Sequence, residues 1–173
     1  MHSRAAVALC VLLVPALPTG AQPTEGERTF SGSWSATGQQ ETIPTEGVRA
    51  ASIVRLSGSL VLTGGSGLSR GFRGEAIGFD DGAAVRLVRS VWTDDRGDRI
   101  FSEIRGEPLE KGRRWIGTIT GGSGPYARMS GEYELTWQYV IRTEDGAFQG
   151  RAADLKGRFR LGSGEVDHLK PLL

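Results

Sequence analysis

The sequence predicts an all-β fold, an eight-stranded antiparallel up-and-down barrel, and three observations carry that reading. From Thr29 onward apolar and polar residues alternate with period two, the pattern of strands with one buried face. The alternating runs are separated by short Gly- and Asp-rich turns, with no helical periodicity between them. Thr63-Gly64-Gly65-Ser66-Gly67 returns 57 residues later as Thr120-Gly121-Gly122-Ser123-Gly124, and each copy runs on into a Gly-Glu pair (Gly74-Glu75, Gly131-Glu132). Each copy closes one strand-like run and opens another, and glycine clusters supply positive-φ turns and let backbones approach closely. Closing eight such strands into a barrel removes the exposed edges of an open sheet. The interior of such a barrel is just wide enough for side chains or one small ligand.

Taken in order, the chain opens on a segment that reads as a secretory signal peptide over residues 1–21. His2 and Arg4 give a basic start, Ala5 to Val14 is an unbroken apolar run, and Thr19-Gly20-Ala21 offers small residues for cleavage, the layout of an export signal. The run is too short to span a bilayer as a stable helix. Leu9, not a small residue, precedes Cys10, which argues against a lipid anchor. Residues 22–28 read as a flexible polar leader, 29–162 as the barrel domain and 163–173 as a C-terminal tail that is loose or packed across one barrel end.

The first strand is read over Thr29–Gln39, with Phe30, Gly32, Trp34 and Ala36 sharing a face. The second covers Ser52–Thr63, with Val54, Leu56, Leu60 and Leu62 together, and the third covers Gly71–Phe79 before the hairpin signal Asp80-Asp81-Gly82. The fourth is Ala84–Thr93, with Val88 and Trp92 opposite Val85, Leu87 and Val91. Asp94-Asp95-Arg96-Gly97-Asp98 turns the chain into the fifth, Arg99–Glu107, where Ile100, Ser102 and Ile104 oppose Phe101, Glu103 and Arg105. Pro108–Gly112 leads to the sixth strand, Arg113–Thr120. The seventh, Ser130–Arg142, places Tyr133, Leu135, Trp137, Tyr139 and Ile141 on one face; after Glu144-Asp145-Gly146 the eighth runs from Ala147 to Leu161. Apolar residues on both faces of the fourth and seventh strands call for a second cover, from the tail or from another subunit of a homo-oligomer.

Thr120-Gly121-Gly122-Ser123-Gly124-Pro125-Tyr126-Ala127, entered from Gly117-Thr118-Ile119 and followed by Gly131-Glu132, resembles the glycine-rich turn of allene oxide cyclase-like barrels. Dirigent proteins carry a similar loop in the same architecture. The resemblance implies an extracytoplasmic eight-stranded barrel, often oligomeric, whose cavity binds or steers a hydrophobic small molecule. No position here matches a catalytic constellation of either family, so none is carried over.

Composition narrows the chemistry. Arg4 lies in the signal segment, so the remainder carries 20 basic and 20 acidic side chains. With no basic surplus, neither nucleic acid nor membrane insertion is expected. The single cysteine also lies in that segment, so the fold is expected to stand without disulfides. One histidine remains, His168, which leaves neither a multi-histidine metal site nor an obvious Ser-His-Asp triad. Neither glycine cluster continues into Gly-Lys-Ser/Thr or opens a helix, so they read as turns and not as phosphate loops. No metal or cofactor is expected. The carboxylates of the fifth and seventh strands (Glu103, Glu107, Glu132, Glu134) read as a solvated outer face, because Ile100 and Ile104 are the more core-like side. The acidic Asp94–Asp98 run reads as a hairpin turn.

Aromatic residues are the binding signal. Trp34, Trp92, Trp115, Tyr126 and Trp137 are the candidate ligand-binding residues, tryptophan combining a large apolar area with a donor. Tyr126 stands apart in the glycine loop, where it would cap or gate a barrel end. The sequence therefore supports an exported barrel, periplasmic or extracellular, that binds an apolar or amphipathic small molecule. The alternatives are a cyclase, isomerase or dirigent-like enzyme that templates a hydrophobic substrate, and a self-associating structural barrel.

Overall fold

The computed structural model describes residues 26–47, 49–64, 68, 70–81, 86–108 and 113–162. The signal segment, the leader before Gly26, residue 48, residues 65–67 of the first glycine cluster, residue 69, residues 82–85, residues 109–112 and the tail from residue 163 lie outside the described residues. The strands are β1 (Arg28–Pro44), β2 (Ala50–Thr63), β3 (Gly71–Asp80), β4 (Arg86–Thr93), β5 (Arg99–Pro108), β6 (Arg113–Gly122), β7 (Met129–Arg142) and β8 (Ala147–Leu161). Each pairs antiparallel with the next and β8 returns to pair with β1, closing an eight-stranded barrel. The fold class expected from the alternation is the one observed.

Two elements differ from the sequence expectation by more than two residues. β1 runs on to Pro44 instead of ending at Gln39, because Gln40–Ile43 keep pairing with Val54–Ala51 although both faces there meet water. Gly124–Tyr126 forms a single 3-10 turn, with Pro125 inside it, where no helical segment was expected; proline's fixed φ suits the first turn of such a helix.

Three bulges re-phase the faces, one in β6, where Thr120 is the extra residue opposite Phe101 and Ser102, and two that bear on the site. Trp34 pairs with Ala152 but Gly32 with Leu155, so an extra residue in β8 lets Phe148 and Ala152 face inward early and Leu155 and Phe159 late. In β7, Tyr139 pairs with Gly150 and Ile141 with Gln149, leaving Val140 as the extra residue. Strict alternation put Ile141 on the Tyr139 face; instead it turns outward, 55% exposed. Arg142, paired with Phe148, takes the interior face in its place. A bulge commonly re-aims a side chain in this way.

The up-and-down order gathers Gly64, the Gly121–Gly124 cluster, the Asp94–Asp98 turn and the 3-10 turn at one barrel end, and the turns after Pro44 and Arg142 at the other. The first end is filled. Phe30, Leu62, Phe72, Trp92, Met129 and Phe159 belong to one buried cluster, with Phe30–Trp92 and Phe72–Trp92 ring centroids 6.2 and 6.4 Å apart. In the two glycine clusters the second residue adopts positive φ in each case, 72° at Gly64 and 140° at Gly121. Both values lie in the positive-φ region that favours glycine.

Asp94 locks this end. Its Oδ1 accepts from the backbone N–H groups of Arg96 and Asp98 at 3.0 and 2.9 Å, and its Oδ2 accepts from Tyr126 Oη at 3.0 Å and Arg70 Nη1 at 3.2 Å. Burial pushes the carboxyl's pKa up, but these bonds and the Arg70 charge outweigh it and hold it below the usual aspartate value. The expected hairpin at Asp94–Asp98 is present, with Asp94 N–H bonded to Asp98 O at 2.9 Å.

The outer face carries the charges. Glu103 pairs with Arg89, and Glu134 with Lys156 and Arg114, so these carboxylates face away from the interior, as expected. That face also bears a cross-strand apolar row, Ile53–Phe79–Leu87, with Ile77 beside it, all exposed.

Candidate functional site

The other barrel end is hollow. A cavity of about 480 Å³ opens between the strand ends there. Its shape follows from an imbalance between facing walls. The inward positions of β3 run Phe72, Gly74, Ala76, Gly78, Asp80, large at the filled end and small beyond it. β7 and β8, on the far side, present Leu135, Trp137, Tyr139 and Phe148 to the cavity. β2 and β4 add only Val54, Leu56 and Val88 as apolar lining. Large residues on one wall with small ones opposite leave space between them.

Several cavity aromatics are accommodated by a glycine. A Cβ at Gly74 would lie 2.7 Å from Trp34 Nε1, one at Gly150 2.5 Å from Trp137, one at Gly38 2.6 Å from Phe148, and one at Gly106 3.1 Å from Trp115. The rings form a continuous line from floor to mouth. Trp34 meets Trp137 edge-on at 5.7 Å, Trp137 meets Phe148 at 6.5 Å, and Phe148 meets Tyr139 at 5.5 Å, all within the favoured range for aromatic pairs. Trp34 closes the floor, its Nε1–H buried against Gly74 with no acceptor among the described residues.

Polar groups collect at the mouth. Gln40 Nε2 donates to Ser52 Oγ at 3.0 Å, and the Ser52 and Thr42 hydroxyls are 2.9 Å apart. Arg142 Nη2 donates to Gln40 Oε1 at 3.1 Å, and its guanidinium carbon lies 4.7 Å from the Tyr139 ring centroid, a cation–π distance. Asp80 stands at the mouth on β3. Beneath the floor, Tyr133 and Ser102 hydroxyls are 2.7 Å apart in the filled half, and burial pushes the Tyr133 phenol up to about 12.

Of the five sequence-proposed binding residues, Trp34, Trp115 and Trp137 come together around the cavity. Trp92 and Tyr126 do not. Trp92 is 1% exposed in the filled half, its ring 4.9 Å from that of Tyr133. Tyr126 is 3% exposed at the opposite end, bonded to Asp94, and burial raises its phenol to about 12. It closes that end of the barrel. Gln40, Ser52, Phe148 and Arg142 were not singled out from sequence. Phe148 was discoverable from its place at an inward position of β8; Arg142 was hidden by the bulge.

Among the described residues no group of three His, Cys, Asp or Glu is placed to hold a metal ion, and no helix is long and apolar enough to cross a membrane. No protein-family model matches the chain, and no curated protein does. Among solved structures the chain is similar to a pterocarpan synthase dirigent protein, at 11% identity and a TM-score of 0.49, over 88% of this chain and 97% of that one. The similarity is one of barrel fold. The chemistry open to this cavity is set by its own lining residues.

Proposed function

We propose that this chain is an exported barrel that binds an apolar or amphipathic small molecule in the hollow end. The carrying observation is the cavity itself, about 480 Å³ of space walled by aromatic and aliphatic side chains, with its charged groups confined to the mouth. That volume falls inside the roughly 300–1,000 Å³ usual for small-molecule sites, which are likewise mostly apolar with a few placed polar groups. Trp34, Trp115 and Trp137 are the proposed contacts. Trp92 lies in the filled half below the floor, and Tyr126 closes the far end of the barrel.

Residues 1–21 support export to a periplasmic or extracellular space. The exposed row Ile53–Phe79–Leu87 supports association with a second copy of the chain. Native mass spectrometry of protein purified from its own envelope fraction tests these readings together. The expected result is an oligomer that retains a small molecule. A ligand-free monomer, also unable to take up any apolar probe, would sink the proposal.

A further inference from the structure

If the cavity is a binding site, as proposed above, its mouth says more about the ligand than its walls do. Arg142 would point outward if β7 kept strict alternation from Tyr139. The extra residue at Val140 brings it to the interior face. Once there it is held from two sides, by the hydrogen bond to Gln40 Oε1 and by the Tyr139 ring beneath it. Gln40 is itself fixed by Ser52, so residues of three strands set the guanidinium's direction.

Among the described residues no carboxylate pairs with Arg142. Arg70, Arg73, Arg89, Arg114, Arg158 and Arg160 each pair with at least one. Arg151, bonded to Gln138 on the outer face, shares with Arg142 the lack of one among the described residues but does not border the cavity. The partners of Arg142 are a neutral amide and a ring. A guanidinium has five N–H donors, and among the described residues one of them is used. Asp80 stands on β3, four strands away around the closed sheet and so on the opposite side of the mouth. A cation with spare donors, oriented by a bulge beside an apolar wall, is built to receive a planar oxyanion, which guanidinium binds in a two-point fork.

We propose that Arg142 anchors an anionic head group and that the ligand is an amphipathic anion, its apolar body in the barrel and a carboxylate- or sulfonate-like oxyanion at the mouth. The apolar body contributes affinity through burial, while the head group sets the orientation, head at the mouth and body against Trp137 and Trp34.

The test uses two fluorescent probes with the same body, 1-anilinonaphthalene-8-sulfonate and the uncharged N-phenyl-1-naphthylamine, titrated into the full mature chain and into Arg142→Gln and Arg142→Lys. The native protein is expected to bind the sulfonate about tenfold more tightly than the neutral probe, the scale of one charge-assisted hydrogen-bonded contact. Arg142→Gln should lose that advantage and leave the neutral probe's affinity unchanged, while Arg142→Lys recovers part of it. Added salt should weaken only the sulfonate in the native protein. If the sulfonate binds native and Arg142→Gln protein equally, the anchor is overturned and the cavity reading stands; binding on the outer apolar row would give that result. If neither probe binds the native protein, the cavity reading falls and takes the anchor with it.

Discussion

At one end of the barrel Phe30, Phe72, Trp92, Ile100, Ile119, Tyr133 and Phe159 come from seven of the eight strands and meet within one cluster. At the other, Trp34, Trp115, Trp137, Tyr139 and Phe148 come from the contiguous run β6–β7–β8–β1 and face Ala76 and Gly78 of β3. The two ends share strands, hydrogen-bond ladders and aromatic content. They differ in whether large side chains are distributed around the circumference or confined to one arc. Distribution fills the bore; confinement leaves a cleft with an aromatic wall and an open one. The electrostatics follow the same division. The filled end closes on Asp94, which accepts four hydrogen bonds from within the protein, while the hollow end presents Arg142 with donors unused among the described residues.

The sharpest break of this comparison is to remove one tryptophan from each end. Trp92→Ala deletes a fully buried ring that touches Phe30, Phe72 and Tyr133, and the expected loss is about 3–5 kcal/mol. Trp115→Ala removes a half-buried ring from a wall that already borders space, and about half that loss or less is expected. Urea denaturation of the two variants measures the difference. Equal losses would mean that the hollow end is as tightly packed as the filled one.

Next in size is the lock at the filled end. Asp94→Asn keeps the shape but replaces an acceptor facing Tyr126 and Arg70 with a donor, and roughly 1.5–3 kcal/mol should be lost at neutral pH. Because the folded state holds Asp94 below its usual value, its contribution is complete above the unfolded aspartate pKa near 3.9 and disappears as pH falls through the folded value. The stability gap between native protein and Asp94→Asn should therefore be full at pH 7 and narrow below about pH 4. A gap independent of pH would assign the loss to shape instead of charge. At the alkaline extreme the sign reverses. The Tyr126 and Tyr133 phenols are raised to about 12, so their neutral forms contribute fully below about pH 10 and that contribution is lost as pH rises towards 12. Denaturation midpoints from pH 8 to 12 should decline in that window, and less steeply in Tyr133→Phe.

How far the sequence reaches is itself divided along the barrel. The strands and the Asp94–Asp98 and Glu144–Gly146 turns were legible because alternation and Gly/Asp punctuation are local, and so was the outward direction of Glu103 and Glu134. Alternation reports which face a residue occupies but not how far along the bore it sits. Trp92 and Trp115 therefore read alike, although one fills the core and the other borders the cavity. Bulges are invisible to a period of two: Ile141 and Arg142 exchanged faces because Val140 is an extra residue opposite β8. The small series Gly74, Ala76, Gly78 was present in β3 all along. It acquires meaning only when the closed topology sets it across from the aromatic wall of β7.

The smallest expected effect on stability is also the most selective for the difference between the ends. Ala76 and Ala152 are both buried and inward-facing, 6% and 0% exposed, but only Ala76 borders the cavity. Lengthening either to leucine adds the same volume. At Ala152 the added carbons meet a filled neighbourhood against Trp34, and overpacking of that kind costs about 1–3 kcal/mol. At Ala76 they enter open space between β3 and the aromatic wall, gaining apolar contact without displacing anything, so the change should lie within about 1 kcal/mol of zero. Probe binding should follow the reverse order, abolished or strongly weakened by Ala76→Leu and little altered by Ala152→Leu. A cavity that serves only as a packing defect predicts the same stabilities. Only a ligand site predicts that the better-tolerated substitution is the one that removes binding.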